Sequence, residues 1–144
     1  MLLEIVTPEK KVYSEEVDQV TIPTTEGEIT ILPHHLDLVT TLKAGELKIK
    51  KGNQTVHLAA GDGFAEINGQ KVAVITDLAL RPEEIDEKAV EEAKKRAQEA
   101  LRDRERLSEE EFAATAAALQ KSLIQLQVKR KHAHSSRRAT ETSP

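Results

Sequence analysis

The sequence predicts an α+β protein in which an antiparallel β-sandwich comes first and an antiparallel two-helix hairpin follows. Three observations predict this order. Up to about Leu80 the chain consists of short β-branched runs separated by turn residues. After Arg81-Pro82 the apolar residues recur every three to four positions, which is the spacing of one helical face. The length of 144 residues holds one compact domain, or one domain with a small appendage, and excludes two large domains.

The strands of the first part are predicted from alternation and from turns. Leu47 and Ile49 are two residues apart, as expected when one face of a strand is buried. Gly52-Asn53 and Asn68-Gly69 predict tight hairpins, because the primed turns of such hairpins need a positive φ. Several short strands at this spacing predict an antiparallel sandwich. The clearest strands are residues 2–6, 17–22, 28–32, 46–49, 55–58 and 71–75.

The change of pattern at Arg81-Pro82 predicts a domain boundary, since proline disfavours a helical residue before it and is tolerated where a helix begins. A first helix is predicted from there to about Glu105. One of its faces is formed by residues four positions apart, namely Ile85, Ala89, Ala93, Ala97 and Leu101.

A second helix is predicted from about Glu109. Ser108 and Glu111 form an S-x-x-E capping box, in which each side chain accepts a hydrogen bond from a backbone N–H at the start of a helix. The short break between the two helices predicts an antiparallel hairpin. We therefore expect a sandwich over residues 1–82, a hairpin over residues 83–131 and a disordered basic tail over residues 132–144.

The first helix offers mostly alanine to its partner, and burying a methyl group contributes about 0.8 kcal/mol against about 1.5 to 3 kcal/mol for a Leu or Ile side chain. Both helices are rich in strong helix formers and could persist with the hairpin open. The pattern therefore fits a hairpin that switches between two arrangements, and it also fits a permanently closed small coiled coil.

Composition argues against catalysis and against a metal site. The chain contains no Cys, which removes thiolate metal sites and cysteine nucleophiles. Gly61-Asp62-Gly63 lacks the third glycine of a dinucleotide loop, and the sequence has no Walker phosphate loop. His34 and His35 are adjacent, so in an extended segment they point to opposite sides and do not share a metal. We expect no enzyme activity.

The charge is distributed unevenly along the chain. Residues 1–82 and residues 83–128 each carry a net charge of −4, whereas residues 129–144 carry +4. This basic end predicts an acidic partner surface, with a solvated disordered tail as the alternative. No run approaches the roughly 18 to 20 continuous apolar residues of a membrane-spanning helix, and the first residues do not form a secretion signal.

Three stretches resemble the sequence patterns of one family. Residues 26–35 read E-G-E-I-T-I-L-P-H-H, residues 63–67 read G-F-A-E-I and residues 93–97 read A-K-K-R-A. They are similar to the E-G-E-x-x-I-x-P-x-H, G-G-x-x-E and A-K-x-R-A patterns of the F-type ATP synthase epsilon subunit. The resemblance runs in the same order and spacing from Leu2 to about Val128, and the tail from Lys129 lies outside it.

The resemblance implies a non-catalytic central-stalk subunit of about ten strands and a hairpin. The sandwich would bind the gamma subunit and rest on the rotor c-ring, with Glu28 and His35 at the ring contact. The hairpin would open, extend into the catalytic head of alpha and beta subunits, and inhibit ATP hydrolysis. The protein would lie peripherally on the cytoplasmic face of a bacterial inner membrane, with a plastid thylakoid as the alternative. The residues placed to meet acidic loops of beta are Lys121, Lys129, Arg130 and Lys131.

Some members of that family bind ATP in the closed hairpin through an I-D-x-x-R-A motif and further basic residues. Ile85, Asp86 and Arg96 match this pattern, whereas Ala89 stands where the motif has an arginine. On the second helix Lys121 and Gln125 replace the two expected arginines. Neither Ala nor Gln supplies the charged fork with which arginine binds phosphate. We therefore expect no cofactor and treat ATP as a regulatory ligand to be tested.

Two other interpretations compete with this one. A free-standing sandwich that binds a partner, with the hairpin as a dimerisation element, predicts a homodimer in isolation, whereas the epsilon interpretation predicts a monomer that joins gamma. A nucleic-acid-binding protein that uses the basic tail is disfavoured, because the rest of the chain is acidic and offers few aromatic side chains for base stacking.

Overall fold

The structure is a computed structural model that describes residues 1–35 and 37–141, with the backbone alone described for residues 133–141. The chain divides into two compact units, Met1–Arg81 and Pro82–Pro144. Within the described residues, the strands lie in the first unit and the helices in the second. The strands are β1 Leu2–Val6, β2 Lys11–Glu16, β3 Gln19–Thr24, β4 Gly27–Ile31, β5 Leu38–Leu42, β6 Gly45–Lys51, β7 Gln54–Ala60, β8 Gly63–Asn68, β9 Lys71–Thr76 and β10 Ala79–Leu80.

The ten strands form a sandwich of two halves. One half has the order β10-β7-β6-β3, with β4 on the other side of β3, and the second half has the order β5-β8-β9-β1-β2. Among the described residues, a single pair, Thr24 with Leu42, joins β3 to β5 and thus one half to the other. The predicted sandwich is confirmed. One pair differs from the antiparallel expectation, because β1 runs parallel to β9, where Leu3 lies opposite Val72.

The core of the sandwich lies between the two halves and is built from alternating inward side chains. The predicted alternation of Leu47 and Ile49 is confirmed, since both are fully buried. The core consists of Val, Ile, Leu and Ala, and Tyr13 is its aromatic member among the described residues. The largest fully buried side chains of this unit are Leu3, Ile5, Val20, Ile22, Ile31, Leu42, Leu47, Ile49, Leu58, Val72 and Val74.

Both predicted hairpin turns are present, one of them displaced by one residue. Gly52 has φ 60° and begins the two-residue loop between β6 and β7. Gly69 has φ 42°, but the loop between β8 and β9 consists of Gly69 and Gln70, because Asn68 still pairs with Lys71 as a strand residue. A positive φ at the first loop position is the requirement of a type II′ turn, and glycine meets it without steric cost.

The second unit consists of a 3-10 turn at Pro82–Glu84, helix α1 over Glu87–Arg102, a second 3-10 turn at Arg104–Arg106 and helix α2 over Glu109–Glu141. The first helix therefore ends before Glu105, at Arg102, and its predicted last turn is a separate 3-10 turn. The second helix begins where it was predicted.

The capping box that begins α2 is confirmed. The N–H of Glu111 donates to Ser108 Oγ at 3.1 Å, and the N–H of Ser108 donates to Glu111 Oε1 at 3.3 Å. At its other end α2 continues to Glu141 and overlaps the segment predicted as a disordered tail. Residues 142–144 of that segment lie outside the described residues.

The two helices run antiparallel as a hairpin. Arg130, late in α2, contacts Glu87 in the first turn of α1. Ala114, early in α2, lines the same cavity as Ala100 near the end of α1. Of the predicted α1 stripe, Ile85 and Ala97 are buried, Ala93 and Leu101 are half-buried and Ala89 is exposed.

Candidate functional site

The loop after β4 holds a strained turn. The N–H of His35 donates to the carbonyl of Leu32 at 3.2 Å, which places Pro33 and His34 at the two central positions. His34 has φ 67°. A proline at the first central position and a positive φ at the second are features of a type II turn. Left-handed backbone costs a residue that is not glycine about 1 to 2 kcal/mol, so contacts with the surrounding structure must hold the turn.

Such contacts come from the turn between β8 and β9. The N–H of Gly69 donates to Asp37 Oδ1 at 3.2 Å, and Gln70 Nε2 lies 3.4 Å from His34 Nδ1. We call the described residues 32–35 and 37, together with residues 68–70, the loop end of the sandwich. Its side chains are mostly exposed and polar. Leu32 is apolar and is also 52% exposed.

The two predicted ring-contact residues lie on either side of the end of β4. Glu28 is exposed near the start of β4, opposite Pro23 of β3, and His35 is half-buried at the loop end. Glu28 is three residues before Ile31, the last residue of β4, a distance of about 10 Å along an extended strand. The structure therefore places Glu28 within β4 and His35 in the loop that follows it, and their contact with a ring stays a prediction.

A second feature of the sandwich is an apolar surface that the sequence reasoning missed. Phe64 of β8 lies opposite Ile75 of β9, and Ile75 lies beside Val6 of β1. Phe64 and Ile75 are 46% and 38% exposed. We call these three residues the outer apolar patch. They border a cavity of 320 Å³ that is also lined by Pro8. The signal was in the sequence, since the alternation that buries Ala65 and Ile67 turns Phe64 to the outside.

Gly63 gives this patch its shape. A Cβ at this position would lie 1.9 Å from the carbonyl oxygen of Ile75, far inside van der Waals contact. The absence of a side chain therefore lets β8 and β9 approach closely at the base of the cavity. Next to it, the hydroxyl of Thr76 donates to the carbonyl of Asp62 at 3.1 Å, which fixes the start of β8.

The residues matched to an ATP motif have different positions in the hairpin unit. Ile85 is buried, and Asp86 caps α1 by accepting a hydrogen bond from the N–H of Ala89 at 3.2 Å. The cap explains an Asp at this position without a ligand. Arg96 is exposed and lines an open cavity of 420 Å³ between the helices, whose other lining residues are small, including Ala97. ATP binding stays a prediction.

The predicted basic residues all lie on α2. Lys129 Nζ donates to the carbonyl of Pro82 at 2.9 Å. Arg130 Nε donates to Glu87 Oε1 at 3.0 Å, and Arg130 Nη2 donates to Glu91 Oε1. These hydrogen bonds, first the one to Glu87 and then the one to Glu91, raise the pKa of Arg130. Of the other two residues of this set, Lys121 is half-buried and Lys131 is exposed.

Comparison with known proteins identifies the class to which this arrangement belongs. Residues 1–82 match the family described as ATP synthase, Delta/Epsilon chain, beta-sandwich domain. The ATP synthase epsilon chain of Dehalococcoides mccartyi strain CBDB1 is 45% identical over 133 residues, covering 90% of this chain and 94% of that one. The epsilon chain of Herpetosiphon aurantiacus is 43% identical over 126 residues, covering 88% and 91%. The chain belongs to the ATP synthase epsilon-chain family.

Solved structures agree with the family. A chain of the Euglena gracilis mitochondrial ATP synthase, in a structure of OSCP, F1 and the c-ring, superposes with a TM-score of 0.70 at 26% identity, covering 83% of this chain and 75% of that one. A chain of the Tetrahymena thermophila central stalk and c-ring shares the fold, with a TM-score of 0.59 at 13% identity.

As an epsilon chain, the protein is a non-catalytic stalk subunit of ATP synthase and associates with the rotor complex. This membership excludes the free-standing domain and the nucleic-acid-binding protein as its principal function. It also fits a peripheral place in a membrane-associated complex. Within the described residues, neither helix is long and apolar enough to cross a membrane.

Proposed function

We propose that the sandwich links the gamma subunit to the rotor c-ring and that the helical hairpin restrains ATP hydrolysis. The observation that carries the first half is the outer apolar patch, because Phe64, Ile75 and Val6 lie side by side on three paired strands and Phe64 and Ile75 are exposed. Leu32, Leu38 and Val39 of the same unit are exposed as well. Exposed apolar patches on small soluble folds mark contact surfaces. The proposed role of the hairpin is supported by the extent of the match to epsilon chains, because the matched region includes residues of both helices.

The gamma subunit is the partner that fits the outer apolar patch. A rotor subunit must stay attached while torque passes through it, and apolar burial supplies an attachment that salt does not screen. Phe64 is the aromatic residue of the patch and is 46% exposed. A buried aromatic anchor of this kind contributes a large share of the binding energy at protein interfaces.

The c-ring is the partner that fits the loop end, with His35 as a contact residue there and Glu28 as a second contact residue on β4. Hydrogen bonds hold the loop end rigid: Asp37 is joined to Gly69, and His34 to Gln70. A rigid polar contact resists shear and can bind a polar ring surface. The ring would then hold the complex at the cytoplasmic face of a bacterial inner membrane, or at a plastid thylakoid membrane, as the resemblance implies.

The hairpin would act on the catalytic head. In an extended arrangement, Lys121, Lys129, Arg130 and Lys131 would meet acidic loops of beta subunits and oppose the rotation that hydrolysis drives. The contact is electrostatic, so the inhibition should weaken as ionic strength rises. The alpha subunits would border the same space.

Substitution of the aromatic patch residue tests the proposal. Phe64→Glu places a charge in the patch, and because Phe64 is partly exposed the fold should tolerate it. Loss of an anchor at an interface costs about 2 kcal/mol or more, so we expect gamma affinity to fall at least about tenfold in calorimetry or surface binding. Thr55→Glu, on an exposed position of β7, is the matched control and should bind normally. Equal affinities of the two variants would rule out the patch as the gamma surface.

A further inference from the structure

Arg130 bridges the two helices of the hairpin at the end opposite their connection. Its guanidinium reaches two carboxylates that lie one helical turn apart on α1, Glu87 and Glu91. A planar guanidinium with several fixed N–H donors can satisfy two such acceptors at once, whereas an ammonium acts as a point charge. The three side chains are 56%, 46% and 31% exposed, so the contact remains accessible to ions and to a competing partner.

Lys129, the neighbour of Arg130, makes a second bridge at the same end. Its ammonium donates to the carbonyl of Pro82, in the 3-10 turn that precedes α1. Two consecutive basic residues of α2 therefore hold the start of the hairpin unit. Both belong to the set predicted to meet beta subunits.

The other end of the hairpin is packed loosely. Near the connection the helices face one another mainly through alanines, including Ala93, Ala100, Ala114 and Ala118, which line the 420 Å³ cavity. Small side chains around open space contribute little apolar burial. At the Arg130 end Leu126 and Val128 are buried, so the polar bridges there add to apolar burial.

We propose that Arg130, held between Glu87 and Glu91, is an electrostatic latch that keeps the hairpin closed and keeps the inhibitory charge paired until an acidic partner surface replaces the two glutamates. The two carboxylates imitate the partner surface, so Arg130 bonds either to its own α1 or to the partner. Opening and docking are coupled through this exchange. The inference rests on the proposed inhibition, but the latch itself exists in the isolated chain.

If the latch exists, removing the two glutamates and removing the arginine should have opposite effects on inhibition. Glu87→Gln with Glu91→Gln removes the carboxylates and leaves Arg130 free to dock, so inhibition should strengthen. Arg130→Gln also opens the hairpin, but it removes a docking charge, so inhibition should weaken. If the bridge served stability alone, its loss would change inhibition in the same direction in both variants.

Distance measurements on the isolated full chain test the latch without the catalytic head. The chain has no native cysteine, so spin labels at Gln98→Cys and Gln127→Cys, both exposed positions, report the separation of the helices. Exposed ion pairs contribute modestly to stability. Removing either the two glutamates or the arginine should therefore raise the ratio of open to closed forms about twofold to tenfold. Combining the two changes should add nothing further. Lys95→Gln, an exposed charge removal on α1, is the control and should leave the ratio unchanged.

Salt and inhibition complete the test. High salt should open the wild-type hairpin and leave the Arg130→Gln ratio unchanged. With a cognate head lacking this subunit, the half-inhibiting concentration should fall about twofold to tenfold for the double glutamine variant and rise for Arg130→Gln. The latch would be overturned by any of three results. The distances between the spin labels could be unchanged in both variants, the effects of the two changes on the open-to-closed ratio could add when combined, or inhibition could change in the same direction in both variants. A wild-type chain that does not inhibit would overturn the proposed function instead, while the distances still decide the latch.

Discussion

Filling the alanine cavity of the hairpin should lock it closed. Ala97 is 8% exposed and lines the cavity, so Ala97→Leu adds three carbon atoms that point into open space. Each buried methylene contributes about 0.8 kcal/mol, an upper limit of about 2.4 kcal/mol for the three. Ordering a leucine side chain costs about 0.5 to 1 kcal/mol, which leaves about 1.5 kcal/mol in favour of the closed form.

This free energy corresponds to a reduction of the open population by about tenfold, since 1.4 kcal/mol is a factor of ten in an equilibrium constant. Hydrolysis by a head lacking its epsilon chain, titrated with wild type or variant, measures the consequence. We expect Ala97→Leu to need a correspondingly higher concentration for half inhibition, with unchanged binding to gamma because the sandwich is untouched.

Ala113→Leu is the matched control, because Ala113 is exposed on α2 and the same substitution there fills no cavity. Leucine and alanine have similar helix propensities, so the control separates packing from helix formation. If the two variants inhibit equally well, closure of the hairpin does not limit inhibition and the reasoning is refuted. Stronger inhibition by Ala97→Leu would refute it as well, since it would mean that leucine forces the helices apart.

Three further predictions concern the two units separately. Gly63→Ala should destabilise the sandwich by more than about 2 kcal/mol in urea unfolding, because its Cβ would lie 1.9 Å from a backbone carbonyl oxygen. Gly52→Ala should cost only about 1 to 2 kcal/mol, the cost of left-handed backbone for alanine, because a Cβ at this position meets no atom within 4 Å. Ser108→Ala should lose about 1 kcal/mol of hairpin stability, seen as faster amide exchange at the start of α2. Burial, and then the hydrogen bond with Glu15, raise the pKa of Tyr13 from 10.0 to about 12. The protonated tyrosine therefore stabilises the folded state fully below pH 10, and this contribution is lost as the pH rises to about 12. The phenolate absorbance of this single tyrosine should titrate near 12 in the folded protein and near 10 in urea.

Much of the fold could be predicted from local patterns. The start of α2 and the capping box of Ser108 and Glu111 follow from short-range chemistry, and the structure reproduces them. Among the strands that were missed, β8 alternates clearly between buried and exposed residues, whereas β2 has a weaker signal. β2 reads Lys-Val-Tyr-Ser-Glu-Glu, and its last three residues are exposed, so it lacks the alternation of a half-buried strand.

The candidate site was less predictable, because its features join distant parts of the chain. Phe64, Ile75 and Val6 form one patch through the pairing of three strands, one of them parallel, and no local pattern gives that pairing. The contact of Arg130 with Glu87 likewise depends on the register of the hairpin. The basic residues themselves were visible in the sequence, whereas the two glutamates that hold Arg130 were not recognised as its partners.

The most direct test of the two-part account adds the full chain, and separately residues 1–81, to a cognate ATP synthase head lacking this subunit. Gamma binding and the rate of ATP hydrolysis are measured in the same samples. The account predicts that both forms bind gamma with similar affinity and that only the full chain slows hydrolysis. Inhibition by residues 1–81 alone, or binding to gamma that requires the hairpin, would contradict it.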